Sequence, residues 1–303
     1  MSGKDHNVQF PAPIAPVYAC PAYYRYGPEL PQSPIIVSVP HAGRHYPANV
    51  LSHARVDRDG LERLEDRLAD LLVHKLIAAG QCVFIARQAR AVIDLNRAEN
   101  EIDAAMMAAS SSRRSVLASA KVRGGLGLVP RRLSALGDLW NGPLGWDELD
   151  RRISEYHRPY HQVLHDALHM ARDRFGHAIL LDIHSMPPLL AANGAPSPRI
   201  IFGDRFGRSA SGRLLALAVE ISRAHGLIAA QNHPYPGNYL LERHGNPAHN
   251  IHAIQCEIDR SLYLDAAFRW PTPDLSRIQR VVMDLAEGLA GELPQGDYAQ
   301  AAE

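Results

Sequence analysis

The chain has 303 residues, a length usual for one large α/β sheet enzyme, and its 32 basic residues balance 32 acidic ones. With no polybasic run and no acidic tail, nucleic acid and anionic membrane surfaces are excluded as expected partners. Three cysteines without a CxxC pair, no apolar run near the roughly 20 residues of a membrane span, and a polar then proline-rich start predict a cytoplasmic protein without a disulfide scaffold.

Residues 1–33 carry Pro11, Pro13, Pro16, Pro21, Pro28 and Pro31, which predicts an extended arm laid on the surface. Ser33 to Pro40 follows as a buried strand built on Ile35, Ile36, Val37 and Val39. Leu61, Leu64, Leu68, Leu71, Leu72 and Leu76 recur at helical spacing, so a helix is expected over 57–79, with Gly80 as its C-terminal cap. Cys82–Ala86 and Ala91–Leu95 read as the next strands. Residues 99–150, rich in Ala, Ser, Arg and Gly, have few aliphatic runs and predict an excursion from the sheet that covers the site. A helical pattern resumes over 147–175 and ends near Gly176; Ala178–Ile183 is a strand of the fully buried type, and Arg199–Phe202 a short one. A helix is expected over 209–225, closed by Gly226, then a loop over 232–247, a strand at Ala253–Ile258, a last helix over 273–291 and a frayed tail at 294–303. Residues 34–293 thus form one domain. The alternation of helices and strands predicts an α/β fold: a three-layer α/β/α sandwich with a mostly parallel mixed sheet.

Four of these apolar runs end in polar groups, which a sheet would deliver to one rim. His41 follows a buried strand and a proline, and neutral imidazole there is a good zinc ligand. His45 is a weaker candidate, since Pro40 and Pro47 argue against a helix pairing it with His41. His184 follows a second buried strand, with Asp182 two residues back on the same face to orient its ring. A third ligand should be a carboxylate from the 57–79 helix, where Asp59, Glu62, Glu65, Asp66 and Asp70 are all available and mostly belong to a solvated face. Asn96 and Arg97 place an amide and a guanidinium at the end of the Ala91–Leu95 strand, with Arg90 at its other end; arginine holds carboxylates with a bidentate fork. Glu257 shares a strand face with Gln255 and Asp259 among apolar neighbours, which should raise its pKa and suit it to act as a general base. Together these groups point to a hydrolytic metal site.

Seven pieces in order resemble the N-formylglutamate amidohydrolase (deformylase) family over roughly residues 34–270: Val39-Pro40-His41-Ala42-Gly43, Glu65-Asp66 with Asp70, Arg90 with Asp94-Leu95-Asn96-Arg97, Tyr156-His157-Arg158-Pro159-Tyr160-His161, Leu181-Asp182-Ile183-His184-Ser185-Met186, His233-Pro234-Tyr235-Pro236-Gly237 and Gln255-Cys256-Glu257-Ile258-Asp259-Arg260. The resemblance implies a zinc carboxypeptidase-like (phosphorylase/hydrolase-like) fold, shared with the aspartoacylases. It implies one Zn²⁺, or another divalent metal, held by His41, Asp66 and His184. Glu257 would be the general base and Arg90 would face the oxyanion. Asn96 and Arg97 would clamp the carboxylate of a small acidic substrate, with Arg243 a further carboxylate holder. The implied reaction is hydrolysis of N-formyl-L-glutamate to formate and L-glutamate, and the implied place is histidine degradation. Alternatives within the resemblance are another N-acyl amino acid, a small peptide, or a relative that only binds acidic ligands. The chain departs from the family pattern at Gly237-Asn238, at Asp259 and over residues 99–135, all nearer the substrate pocket than the metal.

Overall fold

The computed structural model describes residues 14–109, 115–191 and 196–292. The predicted tail at 294–303 and the first 13 residues of the predicted arm lie outside them. Among the described residues the strands are β1 (Tyr18–Ala19), β2 (Tyr23–Tyr26), β3 (Ile35–Val39), β4 (Cys82–Ala86), β5 (Arg132–Leu133), β6 (Gly137–Asp138), β7 (Ala178–Met186), β8 (Ile200–Gly203), β9 (Ala229–Gln231) and β10 (Ile251–Asp259). The α-helices are α1 (Ala48–His53), α2 (Arg58–Glu62), α3 (His74–Ala78), α4 (Ala120–Arg123), α5 (Trp146–Arg152), α6 (Arg158–Phe175), α7 (Gly212–Ala224), α8 (Tyr239–His244) and α9 (Leu275–Glu292). No described helix is long and apolar enough to cross a membrane.

Eight strands form one mixed sheet in the order β1-β2-β4-β3-β7-β10-β8-β9. Its centre, from β4 through β3 and β7 to β10, is parallel; β1 with β2, β2 with β4 and β10 with β8 pair antiparallel, and β9 runs parallel to β8. Every residue of β3, β7 and β10 is buried, so alternation sorts side chains between two covered faces rather than between core and water. On one face Ile36, Phe84, Leu180 and Ala253 pack with Tyr160, Leu164 and Leu168 of α6. On the other Ile35, Val37, Leu181 and Ile254 pack with Leu214 of α7 and with Ile278, Val282 and Leu285 of α9. Helices therefore cover both faces, and the expected three-layer α/β/α sandwich is present.

Local departures have physical reasons. The described part of the arm is not a surface ribbon: β1 and β2 extend the sheet beyond β4. The helix expected over 57–79 is broken. Leu61 and Leu64 enter the core on the α6 face, whereas Leu68, Leu71, Leu72 and Leu76 enter the core on the α9 face. The leucines thus serve two cores, and the chain crosses between them around Glu65–Leu68, where Leu68 takes φ 56°. A 3₁₀ turn (Ala69–Val73) and the short α3 complete the segment, which ends at Gly80 with φ 77°. Ala91–Leu95 is not a strand; its apolar side chains are buried, but its backbone turns, held by Arg152 Nη1 on Val92 O (2.9 Å) and by Asp94 N on Leu128 O (2.7 Å). Residues 232–247 include α8, whose Leu240 and Leu241 are buried. The described part of 99–150 contributes Ile102, Met106, Leu128, Val129, Leu139 and Leu144 to the core beside α6.

Candidate active site

His41 lies just past β3, in a turn that packs against residues 87–89 through His45 N to Arg87 O (3.1 Å) and Ala89 N to His45 O (3.0 Å). Gly43 permits that approach, because a Cβ there would lie 2.0 Å from the carbonyl oxygen of Gln88. His41 Nε2 donates to Asp94 Oδ1 at 2.7 Å, which leaves Nδ1 as the lone-pair nitrogen. Nδ1 is buried and has no hydrogen-bond partner among the described residues. Asp94 also takes Arg90 Nε (2.8 Å) and its own loop's Asn96 N (2.8 Å). Burial alone would raise its pKa, but Arg90, His41 and Arg97 hold it well below the usual carboxylate range.

His184 sits inside β7 rather than past its end, because the strand continues to Met186. It shares the α6 face with Asp182, as the two-residue spacing predicts, and its Nε2 meets Asp182 Oδ2 at 2.8 Å. Asp182 is fixed in turn by Ser38 Oγ (2.9 Å), which meets the Tyr160 hydroxyl (2.9 Å). His184 Nδ1 meets Asp66 Oδ2 at 2.9 Å, and His41 Nδ1 lies 3.6 Å from the same oxygen. The two imidazole rings are 4.7 Å apart between centroids. Asp66 is buried, not part of a solvated face; Ser185 N (3.1 Å) holds Oδ2 and Arg260 Nη2 (3.2 Å) holds Oδ1. Against the burial that would raise it, the His184 hydrogen bond and the neighbouring His41 imidazole keep its pKa well below normal. His184 moves the other way: burial opposes its charge, yet Asp182 and Asp66 hold its pKa well above normal.

His41, Asp66 and His184 offer donor atoms within 4.8 Å of one another and could hold a metal ion. The geometry fits such an ion in two respects. His41 Nδ1 is an orphaned buried lone pair aimed at Asp66, and the proton on His184 between two carboxylates stands where a cation would be favoured. The other acidic residues of 57–79 are engaged elsewhere. Glu65 accepts from Tyr46 and Arg67, Asp70 takes both ends of the Arg44 guanidinium, and Asp59 pairs with Arg269. His45 turns to Gln88.

Glu257 is the neighbour of His184 across the β7–β10 ladder and lies on the same face of the sheet. Its Oε1 accepts from Gln255 Nε2 at 2.8 Å. Burial pushes its pKa up to about 7, with Asp66 also raising it and His184, His41 and Arg90 pulling it down. Asp259 is committed to Arg199.

Asn96 and Arg97 are brought close to this rim, but their polar atoms are largely in use. Asn96 Oδ1 accepts from Leu240 N (2.9 Å) and its Nδ2 reaches Gln255 Oε1 (3.4 Å), so it ties the 94–97 loop to α8 and β10. Arg97 Nε donates to Leu126 O (2.8 Å) and Nη1 to Asn96 O (2.5 Å). Nη2 makes no hydrogen bond with the described residues. Among the described residues the other nitrogens of Arg90 make no hydrogen bond, and its charge is felt at Glu257. Arg243 is a correction: it is exposed on α8, bonded to Tyr239, and lines a separate hollow with His165, Arg172 and His249. Ile251 also lines that hollow, which places it where β10 begins, away from Glu257 near the strand's end. Sequence reasoning missed Asp94 as the partner of His41, Arg260 as the partner of Asp66, and two groups in electrostatic range of Glu257, Tyr235 and Lys121. Asp94 and Arg260 stood inside quoted motifs; Lys121 carried no signal.

A model of the N-formylglutamate amidohydrolase family matches residues 33–264. The chain belongs to this family. The matched span of N-formylglutamate amidohydrolase runs from β3 past β10, so it contains His41, Asp66, Asp94, His184, Glu257 and Arg260. The N-formylglutamate deformylase of Pseudomonas putida is 28% identical over 246 residues, covering 77% of this chain and 82% of that one. The N-formylglutamate deformylase of Pseudomonas aeruginosa is 24% identical over 270 residues, covering 84% and 92%. The crystal structure of an N-formylglutamate amidohydrolase from Ralstonia eutropha is 30% identical, superposes with a TM-score of 0.81, and covers 91% of this chain and 98% of that one. These relatives are named as hydrolytic enzymes acting on an amide.

Proposed function

We propose that this protein is a metal-dependent amidohydrolase that cleaves the amide of an N-acylated acidic amino acid, with N-formyl-L-glutamate as substrate and formate and L-glutamate as products. The observation that carries this reading is the pair of Nδ1 atoms on His41 and His184 facing Asp66, with Glu257 beside His184. His41, Asp66 and His184 would hold the ion, and two nitrogens with one carboxylate oxygen suit zinc with a position left open. When bound, such an ion supplies Lewis acidity at a carbonyl and makes a nearby water more acidic.

The chain's own residues do the rest. Asp94 and Asp182 fix the imidazole tautomers by accepting from each Nε2. Glu257, with a pKa near the working range, takes a proton from the water that attacks the formyl carbon. It returns that proton to the leaving nitrogen as the C–N bond breaks. Arg90, anchored through Nε on Asp94, directs its free nitrogens to the carbonyl oxygen as charge develops there. Arg97 offers Nη2 to the substrate's α-carboxylate, and Asn96 holds the loop that presents it. In this reading residues 34–293 work as one amidohydrolase domain, with 99–150 beside its mouth.

The test is formate release from N-formyl-L-glutamate by the zinc-loaded protein, run beside N-acetyl-L-glutamate and N-formylglycine. Preference for the formyl dicarboxylate is expected. No hydrolysis of any N-formyl acidic amino acid by metal-saturated, folded protein would overturn the proposal.

A further inference from the structure

The stretch that carries Asp66 has no regular structure of its own to hold it. It lies between α2 and the 3₁₀ turn Ala69–Val73, where the chain crosses from one core to the other. The end of β10 braces it. Asp259 caps a 3₁₀ turn (Arg260–Leu262) by accepting from Ser261 N at 2.8 Å. From that turn Arg260 Nη2 donates to Glu65 O (2.7 Å) and to Asp66 Oδ1 (3.2 Å), and the next residue after it, Tyr263, donates its hydroxyl to Arg67 O (2.8 Å). The guanidinium is fixed in turn on β7, with Nε on Ser185 Oγ (2.9 Å) and Nη2 on Ser185 O (3.2 Å). The Arg260 side chain is 14% exposed, and it lines a hollow of about 1040 Å³ together with Arg44, Arg63, Arg67 and Trp270.

We propose that Arg260 is a positioning residue that restricts Asp66 to one ligand oxygen and so keeps a position open at the metal centre. The inference rests on the amidohydrolase reading above and deepens it. Three arguments support it. The first is the division of the carboxylate. Asp66 Oδ2 faces His184 Nδ1 (2.9 Å), Ser185 N (3.1 Å) and His41 Nδ1 (3.6 Å), whereas Oδ1 meets Arg260 and no other donor among the described residues. Two imidazole nitrogens and one carboxylate oxygen make three protein donors, the number that leaves a fourth position for water. A second oxygen from Asp66 would compete for that position. To supply it, Oδ1 would have to leave a charged donor inside the protein, which is costly. The second argument is access. The guanidinium both bonds Asp66 and lines the hollow, so it stands between the hollow and Oδ1 and keeps water from taking its place. The third is connection. Arg260 follows Glu257 by three residues, so one short piece of chain carries the candidate base and braces the candidate ligand. Their relative placement is set by β10 rather than by the irregular crossing.

The experiment strips wild type, Arg260→Gln and Arg260→Lys of metal and titrates each with Zn²⁺ and with Co²⁺. Calorimetry reads zinc affinity. The visible spectrum of the cobalt protein reads coordination number, because four-coordinate Co²⁺ absorbs much more strongly than five- or six-coordinate Co²⁺. Wild type should give the strong spectrum. Arg260→Gln should give a weak one per bound ion, and its zinc affinity should fall by about 10- to 100-fold, the range for loss of a group that orients a ligand. Lysine keeps the charge but cannot bond Ser185, Glu65 and Asp66 together, so Arg260→Lys should lie between the two on both readouts. A merely structural role would lower the urea stability of the metal-free protein and leave the cobalt spectrum unchanged. Wild-type spectrum and affinity in folded Arg260→Gln would therefore overturn the proposal, and so would a weak spectrum in wild type. If Arg260→Gln does not fold, Arg260→Lys decides: intermediate values support the assignment and wild-type values defeat it. A wild type that binds neither ion defeats the amidohydrolase reading and this inference with it, whereas variants that match a metal-binding wild type defeat this inference alone.

Discussion

The 94–97 loop hangs on neutral histidines, and this makes the fold sensitive to mild acid. His157 Nε2 donates to Arg97 O (2.8 Å), His161 Nε2 donates to Leu95 O (3.0 Å), and His244 Nε2 donates to His161 Nδ1 (3.0 Å). Burial, with neighbouring cations adding for His244, lowers His157 to about 4 and His244 to about 3. The sign follows from linkage. These histidines stay neutral when folded but protonate near 6.5 when unfolded, so their contribution is intact above 6.5 and is lost as pH falls from there towards the folded values. pH 5 lies about 1.5 units below the unfolded pKa and above both folded values, which costs about 2 kcal/mol per histidine at 1.36 kcal/mol per unit, or about 4 kcal/mol for the pair. That is a large part of the roughly 5–15 kcal/mol that keeps a domain folded. His184, whose pKa is raised, works with the opposite sign, so the informative quantity is a difference. Urea unfolding of wild type and of His157→Gln/His244→Gln should be followed at pH 7.5 and pH 5.0; glutamine can donate to the same acceptors without titrating. Wild type should lose about 4 kcal/mol more than the variant over this interval. Parallel pH profiles for the two proteins would refute the argument.

The site gives further expectations. Glu257→Gln should lower kcat about 100- to 10,000-fold while zinc binding is kept, measured by steady-state kinetics and elemental analysis. In wild type kcat/KM should fall on the acid side with an apparent pKa at or below about 7, since a bound cation can only lower the value that burial sets for this base. Zinc binding near pH 7 should release a proton from His184, seen as a buffer-dependent enthalpy in calorimetry, and Asp182→Asn should weaken zinc affinity about 10- to 100-fold. Arg97→Ala should weaken L-glutamate binding roughly 10- to 150-fold, with lysine a poor replacement because it lacks the planar fork.

What could be read from the sequence follows a physical division. Strand faces were legible, because alternation fixes which side chains share a side. Asp182 with His184, and Gln255 with Glu257, stand as their two-residue spacing implies. Gly80, Gly176 and Gly226 mark element ends with φ of 77°, 79° and 71°. Partners across the fold were not legible. His41 and Asp94 are 53 residues apart, Asp66 and His184 118, and Arg260 and Asp66 194, and no local pattern encodes those pairings.

The misreading of 57–79 is instructive because it falls on the candidate ligand. Six leucines at helical spacing predict one continuous stripe, and a helix would have kept them on one face with the acids on the other, in water. The sheet offers two apolar faces, and dividing the leucines between them buries all six. Burial of each contributes about 1.5–3 kcal/mol, and six together outweigh the few tenths to about 1 kcal/mol per residue of helix propensity lost at a break and the about 1–3 kcal/mol of strain in one left-handed residue. The crossing has to occur at the sheet's rim, where the strands end. Asp66 stands at that crossing, two residues before Leu68, and its amide bonds His41 O at 3.0 Å. The break that defeats the periodicity is therefore also what turns the carboxylate from a solvated helix face towards His41 and His184.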